Sequence, residues 1–425
     1  MQMEKESYRN SKWIYYLTVA ALTFSFFVSD PTLSSLYIFY CTYRIQTVVK
    51  LMKIAAMVIV SCLFVYRLVR CFWQHERIHW GFIPCYLLIY FGYLVSCFVN
   101  ADSAYLPRWL DALSSTLIPL LVFNIFSDDK DSFKFLIRVF SACYLVLAVF
   151  NLIFYLFPQM YIGEAKEWRE LFFLGSKNRA GWPMMLGAFF HLLNDYLNNR
   201  KAETIIYLIL LLLNSLIIAC VTSLAGVFVL LVYYFIPPVK QIFQKWHFAV
   251  FIFFSLVLFV ILMWFLIPIT VSKPVWFLLS LLGKGPGLSD RYDIWETGVK
   301  LVTSYSPFFG FGLLESTAVI PHVNNYGITY HHAHNEFLQC WFEGGMLTIL
   351  IVIFTMFFVA WLLEKCKDRK LAGICKMTLF LFLLMLQGDI LPYYPWYMVA
   401  LIANCSILLS EQSGPRKYKE NVVRV

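Results

Sequence analysis

The chain alternates long apolar runs with short charged breaks along most of its length. A bilayer core about 30 Å thick requires about 20 residues of helix. This pattern predicts an all-α, polytopic integral membrane protein with about twelve transmembrane helices. No polar stretch is long enough for a soluble domain, so residues 1–425 are predicted to form a single membrane domain. The twelve runs are 13–28, 51–67, 81–99, 109–126, 136–157, 180–197, 204–221, 223–237, 248–267, 336–363, 371–389 and 395–410.

The longest break, residues 268–335, lies between the ninth and tenth runs and contains two segments rich in glycine and proline. Cytoplasmic segments of membrane proteins collect Lys and Arg. With the amino terminus in the cytoplasm, about two thirds of the 34 Lys and Arg residues fall in cytoplasmic segments. An even number of spans then places both termini in the cytoplasm and residues 268–335 outside, as one long external loop.

Composition narrows the classes of protein further. Hydrophobic residues make up 60% of the chain and charged residues 14%, whereas soluble domains contain about 45–50% and about 25%. Soluble enzymes and nucleic-acid-binding proteins are therefore excluded. The 11 cysteines include no CxxC pair and mostly lie in apolar runs, which excludes a disulfide scaffold. The net charge of +9 is explained by cytoplasmic loops rather than by an acidic partner.

Basic residues on the predicted outer face are candidates for holding a phosphorylated substrate. Arginine suits a diphosphate because its planar fork binds phosphate oxygens in pairs and stays charged. Arg291 opens an amphipathic segment that predicts a helix along the membrane surface, whereas Lys177, Asn178 and Arg179 stand where the chain enters the sixth run. Two alternatives stay open: pairing of Arg291 with nearby aspartates, and snorkelling of the other cations to lipid head groups. Arg169 and Lys284 are the remaining candidates on this face.

The segment YHHAHNEFLQCWFEGG, which leads into the tenth run, is the strongest local signal. A neutral imidazole there could take a proton from a sugar hydroxyl. Polar residues follow on one helical face at four-residue spacing, and polar groups inside a span tend to be functional. A zinc site made by the three histidines and a purely interfacial anchor are the alternatives. The residues are His331, His332, His334, Asn335, Gln339 and Glu343.

Together these segments resemble the O-antigen ligase and polysaccharide polymerase superfamily. In its signature, a histidine and an Asn, Ser or Gln are followed by nine residues and Gly-x-x-Gly; here His334 and Asn335 precede Gly345 at that spacing. Residues 289–295 resemble the family's arginine motif, and residues 306–312 resemble the glycine turn that follows it. Residues 175–178 and 222–226 resemble two earlier family segments. The sequence departs from the pattern at Leu224, often arginine in the family, and at Thr348, which replaces the last motif glycine.

The resemblance implies a glycosyltransferase of the bacterial cytoplasmic membrane that needs no metal and no cofactor and acts on undecaprenyl diphosphate-linked oligosaccharide. Part of its active site would lie in residues 268–335. A flippase and a chain-length regulator of the same pathway are expected partners, and nucleic acid is not. The catalytic residues implied are His334 and Arg291, and the substrate-binding residues are Lys177, Asn178, Arg179, His332 and Asn335.

The departure at Leu224 leaves diphosphate binding to other cations, and the departure at Thr348 favours a repeat-unit polymerase over a ligase that moves the glycan to a lipid or protein acceptor. A transporter or flippase for lipid-linked sugar is an alternative from a different class. Its spans would carry charged residues deep in the membrane, whereas the runs of this chain are nearly free of charge.

Overall fold

The computed structural model describes residues 2–33, 43–100, 105–127, 129–157, 171–218, 221–264, 291–313, 332–388 and 394–412. Helices dominate this part of the chain, as the apolar runs predict. They are α1 (Gln2–Ser29), α2 (Tyr43–Trp73), α3 (Ile83–Val99), α4 (Tyr105–Ile125), α5 (Lys130–Leu156), α6 (Lys177–Asn198), α7 (Lys201–Ile218), α8 (Val221–Phe235), α9 (Pro237–Lys245), α10 (Phe248–Trp264), α11 (Arg291–Tyr305), α12 (Glu336–Glu364), α13 (Arg369–Met385) and α14 (Tyr397–Gln412).

Two short elements accompany these helices. A 3-10 turn, Pro31–Leu33, follows α1. Strands β1 (Leu171–Phe172) and β2 (Gly175–Ser176) pair antiparallel directly before α6. The hairpin therefore leads into the helix whose first residues were predicted to bind substrate.

Every predicted apolar run overlaps a helix, so the positions of the membrane segments are confirmed as helical. Five helices of the described ranges are long and apolar enough to cross a membrane alone, or six if α8 and α9 count as one bent span. Four further apolar helices are shorter. The protein is therefore a helical membrane protein, whereas the count of twelve crossings stays a prediction. Of the predicted external loop, the structure describes residues 291–313 and 332–335, and the side of the membrane on which they lie also stays a prediction.

Helix ends follow from side chains that accept backbone N–H groups. Asp129 caps α5 by accepting from the backbone N–H of Asp131, and Asp368 caps α13 by accepting from those of Lys370 and Leu371. The first N–H groups of a helix have no partner inside it, so such caps typically contribute about 1 kcal/mol. Local sequence alone therefore determines where these helices begin.

Helix α8 ends where two prolines follow Ile236, and α9 leaves it at 95°. Proline is tolerated in the first turn of a helix but interrupts a helix that continues through it. Phe243 of α9 stacks on Phe251 of α10, with 4.6 Å between ring centroids, and its edge packs against Tyr233. This packing fixes the bend between α8 and α9.

A cluster of phenylalanines joins α6 to three earlier helices. Phe26 of α1, Phe123 of α4, Phe140 of α5 and Phe190 of α6 are buried, and all their ring centroids lie 4.5–6.3 Å apart. Aromatic pairs at these distances contribute about 0.5–1.5 kcal/mol beyond burial. The cluster makes α1, α4, α5 and α6 one packed unit.

Candidate functional site

The segment that precedes α12 brings two predicted site residues into contact. The imidazole centroids of His332 and His334 are 3.9 Å apart, with the ring planes at 58°. His334 has φ +51°, in the left-handed region. A residue with a side chain adopts this region at a cost of about 1–2 kcal/mol, and such strain persists where the surroundings enforce it. The surrounding contacts therefore hold His334 in an unfavourable conformation.

Asn335 connects this turn to the helix and to its neighbour. Its Oδ1 accepts the N–H of Leu338 at 3.1 Å and caps α12, and its Nδ2 donates to the backbone oxygen of Gln387 at 3.0 Å. The N–H of Glu336 donates to the carbonyl of Leu386, just beyond α13, at 2.8 Å. Asn335 is fully buried. These contacts position the start of α12 on the end of α13, and the role of Asn335 in substrate binding stays a prediction.

Ala333, between the two histidines, is held at both of its backbone groups. Its carbonyl accepts the indole N–H of Trp295 at 2.7 Å, and its N–H donates to Oε1 of Gln339 at 2.9 Å. Trp295 belongs to α11, whose first residue is Arg291. The two residues are four apart, so they lie on the same face of α11. The first turn of this helix is therefore placed against the histidine turn, although the side chain of Arg291 lies outside the described residues.

An apolar cluster supports this arrangement. Buried side chains of α11 pack against the first turns of α12 around the backbone of Ala333. Burial of this kind contributes about 25 cal/mol per Å² of apolar surface, so α11 is fixed by packing as well as by one hydrogen bond. The buried members are Ile294, Trp295, Val302, Ala333, Leu338, Trp341 and Phe342.

The second predicted cluster of cations lies at the start of α6. Lys177, Asn178 and Arg179 are the first three residues of this helix, and their side chains are not described. One turn later, Trp182 packs against Phe382 in the last turn of α13, with ring centroids 6.0 Å apart. The first turns of α6 and α12 therefore both pack near the carboxyl end of α13. The structure brings the backbones of the two predicted clusters towards one region of the helix bundle.

One of the two earlier family segments, residues 222–226, packs against α6, the helix that begins within the other, residues 175–178. A Cβ atom on Gly181 of α6 would lie 2.0 Å from Oγ of Ser223, so α6 and the start of α8 are packed in close contact. Gly226 faces Met185 of α6 and Leu381 of α13. The small residues Gly181, Ser223 and Gly226 therefore allow three helices to pack closely beside the candidate site.

The predicted glycine turn, residues 306–312, fits into a break in α12. The N–H groups of Phe311 and Gly312 donate to the carbonyls of Phe342 and Glu343, both at 2.8 Å. Past the break, the N–H of Met346 donates to the carbonyl of Pro307 at 2.9 Å. These bonds satisfy backbone groups that a broken helix leaves without partners. Two motifs that are far apart in the sequence therefore form one structural unit.

Comparison with known protein families identifies a domain in this region. Residues 204–353 match the family model described as O-antigen ligase. These residues form an O-antigen ligase domain. The matched range contains α11, the glycine turn and the histidine turn, whereas residues 177–179 precede it. No curated protein matches the chain.

The O-antigen ligase domain confirms the family resemblance on which the site residues were chosen. Together with the apolar helices, this match over about a third of the chain points to a membrane enzyme of the O-antigen ligase or polymerase type, which transfers glycan. The roles of individual residues within the domain stay predictions.

In the O-antigen ligase domain, the break in α12 depends on Gly345. This residue has φ +68° and ψ −174°, a conformation that essentially only glycine adopts. An added Cβ would lie 2.2 Å from the carbonyl oxygen of Phe308. Gly345→Ala is therefore expected to lower the free energy of unfolding by at least about 1–3 kcal/mol, measured as a lower thermal transition of the detergent-purified protein.

Gly298→Ala in α11 is the matched control for that substitution. Its added Cβ would meet Leu338 at 3.5 Å, which is ordinary van der Waals contact. Alanine also has the higher helix propensity, so the thermal transition should stay the same or rise. An unchanged transition in Gly345→Ala would mean that the turn and the break are not fitted together as described.

Sequence reasoning missed several residues that hold the O-antigen ligase domain in place. Oε1 of Glu336 accepts the backbone N–H of Trp396 at 3.1 Å. Ser96 of α3 donates to the carbonyl of Glu343 at 2.6 Å, and Asn100 donates to the carbonyl of Gly310 at 3.1 Å. Polar side chains at the end of an apolar run are a usable signal for such contacts.

The zinc alternative is not tested. Among the residues that the structure describes, no group of three or more His, Cys, Asp or Glu side chains is placed to hold a metal ion. His331, which that alternative requires, lies outside them.

Proposed function

We propose that the protein is an oligosaccharide repeat-unit polymerase on the outer face of the bacterial cytoplasmic membrane, with both of its termini in the cytoplasm. It transfers a growing glycan from undecaprenyl diphosphate to the non-reducing end of the next lipid-linked repeat unit. The observation that carries this proposal is the bond from Trp295 to Ala333, which joins the helix opening at Arg291 to the histidine turn. A cation for the diphosphate and a base for the acceptor then belong to one site.

The proposed reaction uses one proton transfer and one displacement. The acceptor hydroxyl oxygen attacks the anomeric carbon of the donor sugar, and the bond from that carbon to the diphosphate oxygen breaks with its electron pair on the diphosphate. His334 takes the proton of the hydroxyl as general base. Arg291, assisted by Lys177 and Arg179, holds the diphosphate and balances the charge that develops on it. His332, Asn178 and Asn335 contact the substrate or orient these groups.

The choice of a polymerase over a ligase rests on Thr348, one of the two departures from the family pattern. Leu224 lacks the cation often found at that position, so the diphosphate depends on the other basic residues. Thr348 replaces a motif glycine, and its hydroxyl donates to the carbonyl of Gly344 at 2.8 Å. On the neighbouring helix, an added Cβ at Gly92 would lie 2.7 Å from this hydroxyl. The close approach of α3 and α12 is thus preserved by a glycine on α3.

Purified protein supplied with undecaprenyl diphosphate-linked repeat units is expected to form a ladder of polymer lengths on a gel. Chelation of divalent metals with EDTA should leave the ladder unchanged, because a diphosphate can leave without metal or cofactor in the proposed reaction. A single transfer to a separate lipid or protein acceptor would instead identify a ligase. Movement of the lipid-linked sugar across liposomes without any covalent product would identify a transporter. In cells, a flippase and a chain-length regulator are the proposed partners.

A further inference from the structure

We propose that Gln339 and Glu343 are positioning residues for His334, acting through the backbone of Ala333. The proposal rests on the proposed function, in which His334 is the base. It assigns a role to two polar residues that the sequence placed on the same helical face as Asn335. They hold the histidine turn from the side of α12, opposite the contact made by Trp295.

The first step concerns the backbone before His334. Its φ of +51° is unfavourable for a residue with a side chain, so fixed partners must hold it there. The residue directly before it, Ala333, has both backbone groups occupied: the carbonyl by Trp295 and the N–H by Gln339. Ala333 is fully buried, so water cannot replace either partner. Loss of one bond would let the turn relax and move the imidazole of His334.

The second step concerns the orientation of Gln339. An amide side chain presents an oxygen on one side and an NH2 group on the other, and only the oxygen can accept from Ala333. Nε2 of Gln339 donates to Oε1 of Glu343 at 2.8 Å. Because Oε1 of Glu343 accepts from the NH2 group, the amide oxygen of Gln339 faces the N–H of Ala333.

The third step concerns what holds Glu343. The residue is buried and lies two residues before the break at Gly345. Its carbonyl oxygen accepts both from Ser96 Oγ at 2.6 Å and from the N–H of Gly312 at 2.8 Å. The chain of bonds therefore runs from the glycine turn through Glu343 and Gln339 to the histidine turn. The position of the base is set by elements that do not touch the substrate.

The test compares Gln339→Leu, Glu343→Leu, the double variant and Glu343→Gln in the ladder assay. A displacement of about 1 Å at a reacting group can lower a rate about 100-fold. Each leucine variant is expected to lower kcat about 10- to 100-fold, with the KM for the lipid-linked unit nearly unchanged. Glu343→Gln should retain most activity, because its amide oxygen can still accept from Gln339.

The double variant shows whether Gln339 and Glu343 act through one chain of hydrogen bonds or in two independent roles. Residues that act through one another are non-additive, so the double variant should be no slower than the slower single variant. Thr355→Val is the matched control. Thr355 is a buried polar residue further along α12 whose hydroxyl donates only within its own helix, to the carbonyl of Val352. This substitution should leave kcat and KM unchanged.

A second measurement does not depend on activity. Hydrogen exchange in the peptide that covers residues 332–335 should accelerate in both leucine variants and stay slow in Glu343→Gln and Thr355→Val. If the wild-type protein forms no ladder, the proposed function fails. The hydrogen exchange still shows whether Gln339 and Glu343 hold the histidine turn in place. Three results would each overturn the positioning role. They are losses that multiply in the double variant, a Glu343→Gln variant as slow as Glu343→Leu, and unchanged hydrogen exchange in the leucine variants.

Discussion

Replacing His334 with alanine is expected to lower the rate of glycan transfer about 100- to 10,000-fold, the typical contribution of a general base. The structure places its imidazole against that of His332 at the start of α12 and holds its backbone in the left-handed region. Because the ring of His332 lies beside it, His332→Ala should give an intermediate loss. His331→Ala should be mild, because the family signature selects His334. The measurement is the initial rate of ladder formation by purified protein.

Two further variants separate chemistry from folding. His334→Gly removes the imidazole and also relieves the backbone strain, so it should be equally inactive without a lower thermal transition. His75 is the matched control, because it is an exposed histidine whose φ is also positive, at +52°. His75→Ala should transfer glycan at the wild-type rate. Retained transfer in His334→Ala, with the loss in His331→Ala instead, would place the base at a different position in the motif.

Replacing Arg291 with alanine is expected to lower transfer about 10- to 150-fold, which corresponds to about 1.5–3 kcal/mol for a charged hydrogen bond. The loss should be larger if negative charge grows on the diphosphate in the transition state. Arg291→Lys should recover only part of the rate, since an ammonium group keeps the charge but lacks the planar fork. Both variants should be present in the membrane at the wild-type level.

Lys300 provides the control on the same helix. It lies near the other end of α11 and pairs with Glu296 at 2.6 Å, with 72% of its side chain exposed. An exposed ion pair of this kind contributes about 0–1 kcal/mol, so Lys300→Ala should leave the rate unchanged. Equal rates for Arg291→Ala and the wild type would leave Arg291 as a surface ion, as in the alternative that the sequence left open.

The positions of the helices could be predicted because each apolar run forms its own helix. The interruption of α12 at Gly345 could not be predicted, because residues 336–363 form one continuous apolar run in the sequence. The break depends on a turn that fits into it from residues 306–312. Helix α9 was likewise included partly in the preceding run, although the prolines that separate it are visible in the sequence.

In the candidate site, too, local features could be predicted from the sequence, whereas contacts between distant residues could not. The cap by Asn335 is local and could have been predicted from an asparagine at the start of a helix. The bond from Trp295 to Ala333 joins residues 38 apart in the chain, and no spacing rule identifies it. Motif order indicated which segments matter, whereas the contacts that give each segment its role come from packing between helices.

The break at Gly345 also has a mechanical consequence. Membrane helices adjust to bilayers of different thickness by tilting or bending, at a modest cost per ångström of mismatch. The glycine turn bonds to α12 on both sides of this break: it donates to the carbonyls of Phe342 and Glu343 before Gly345, and its carbonyls accept from Met346 and Leu347 after it. The two parts of α12 are therefore held by the same turn, so the histidine turn is tied to the rest of its own helix across the break. A change in lipid thickness is then expected to tilt α12 and the glycine turn as one unit, without a change of angle at Gly345.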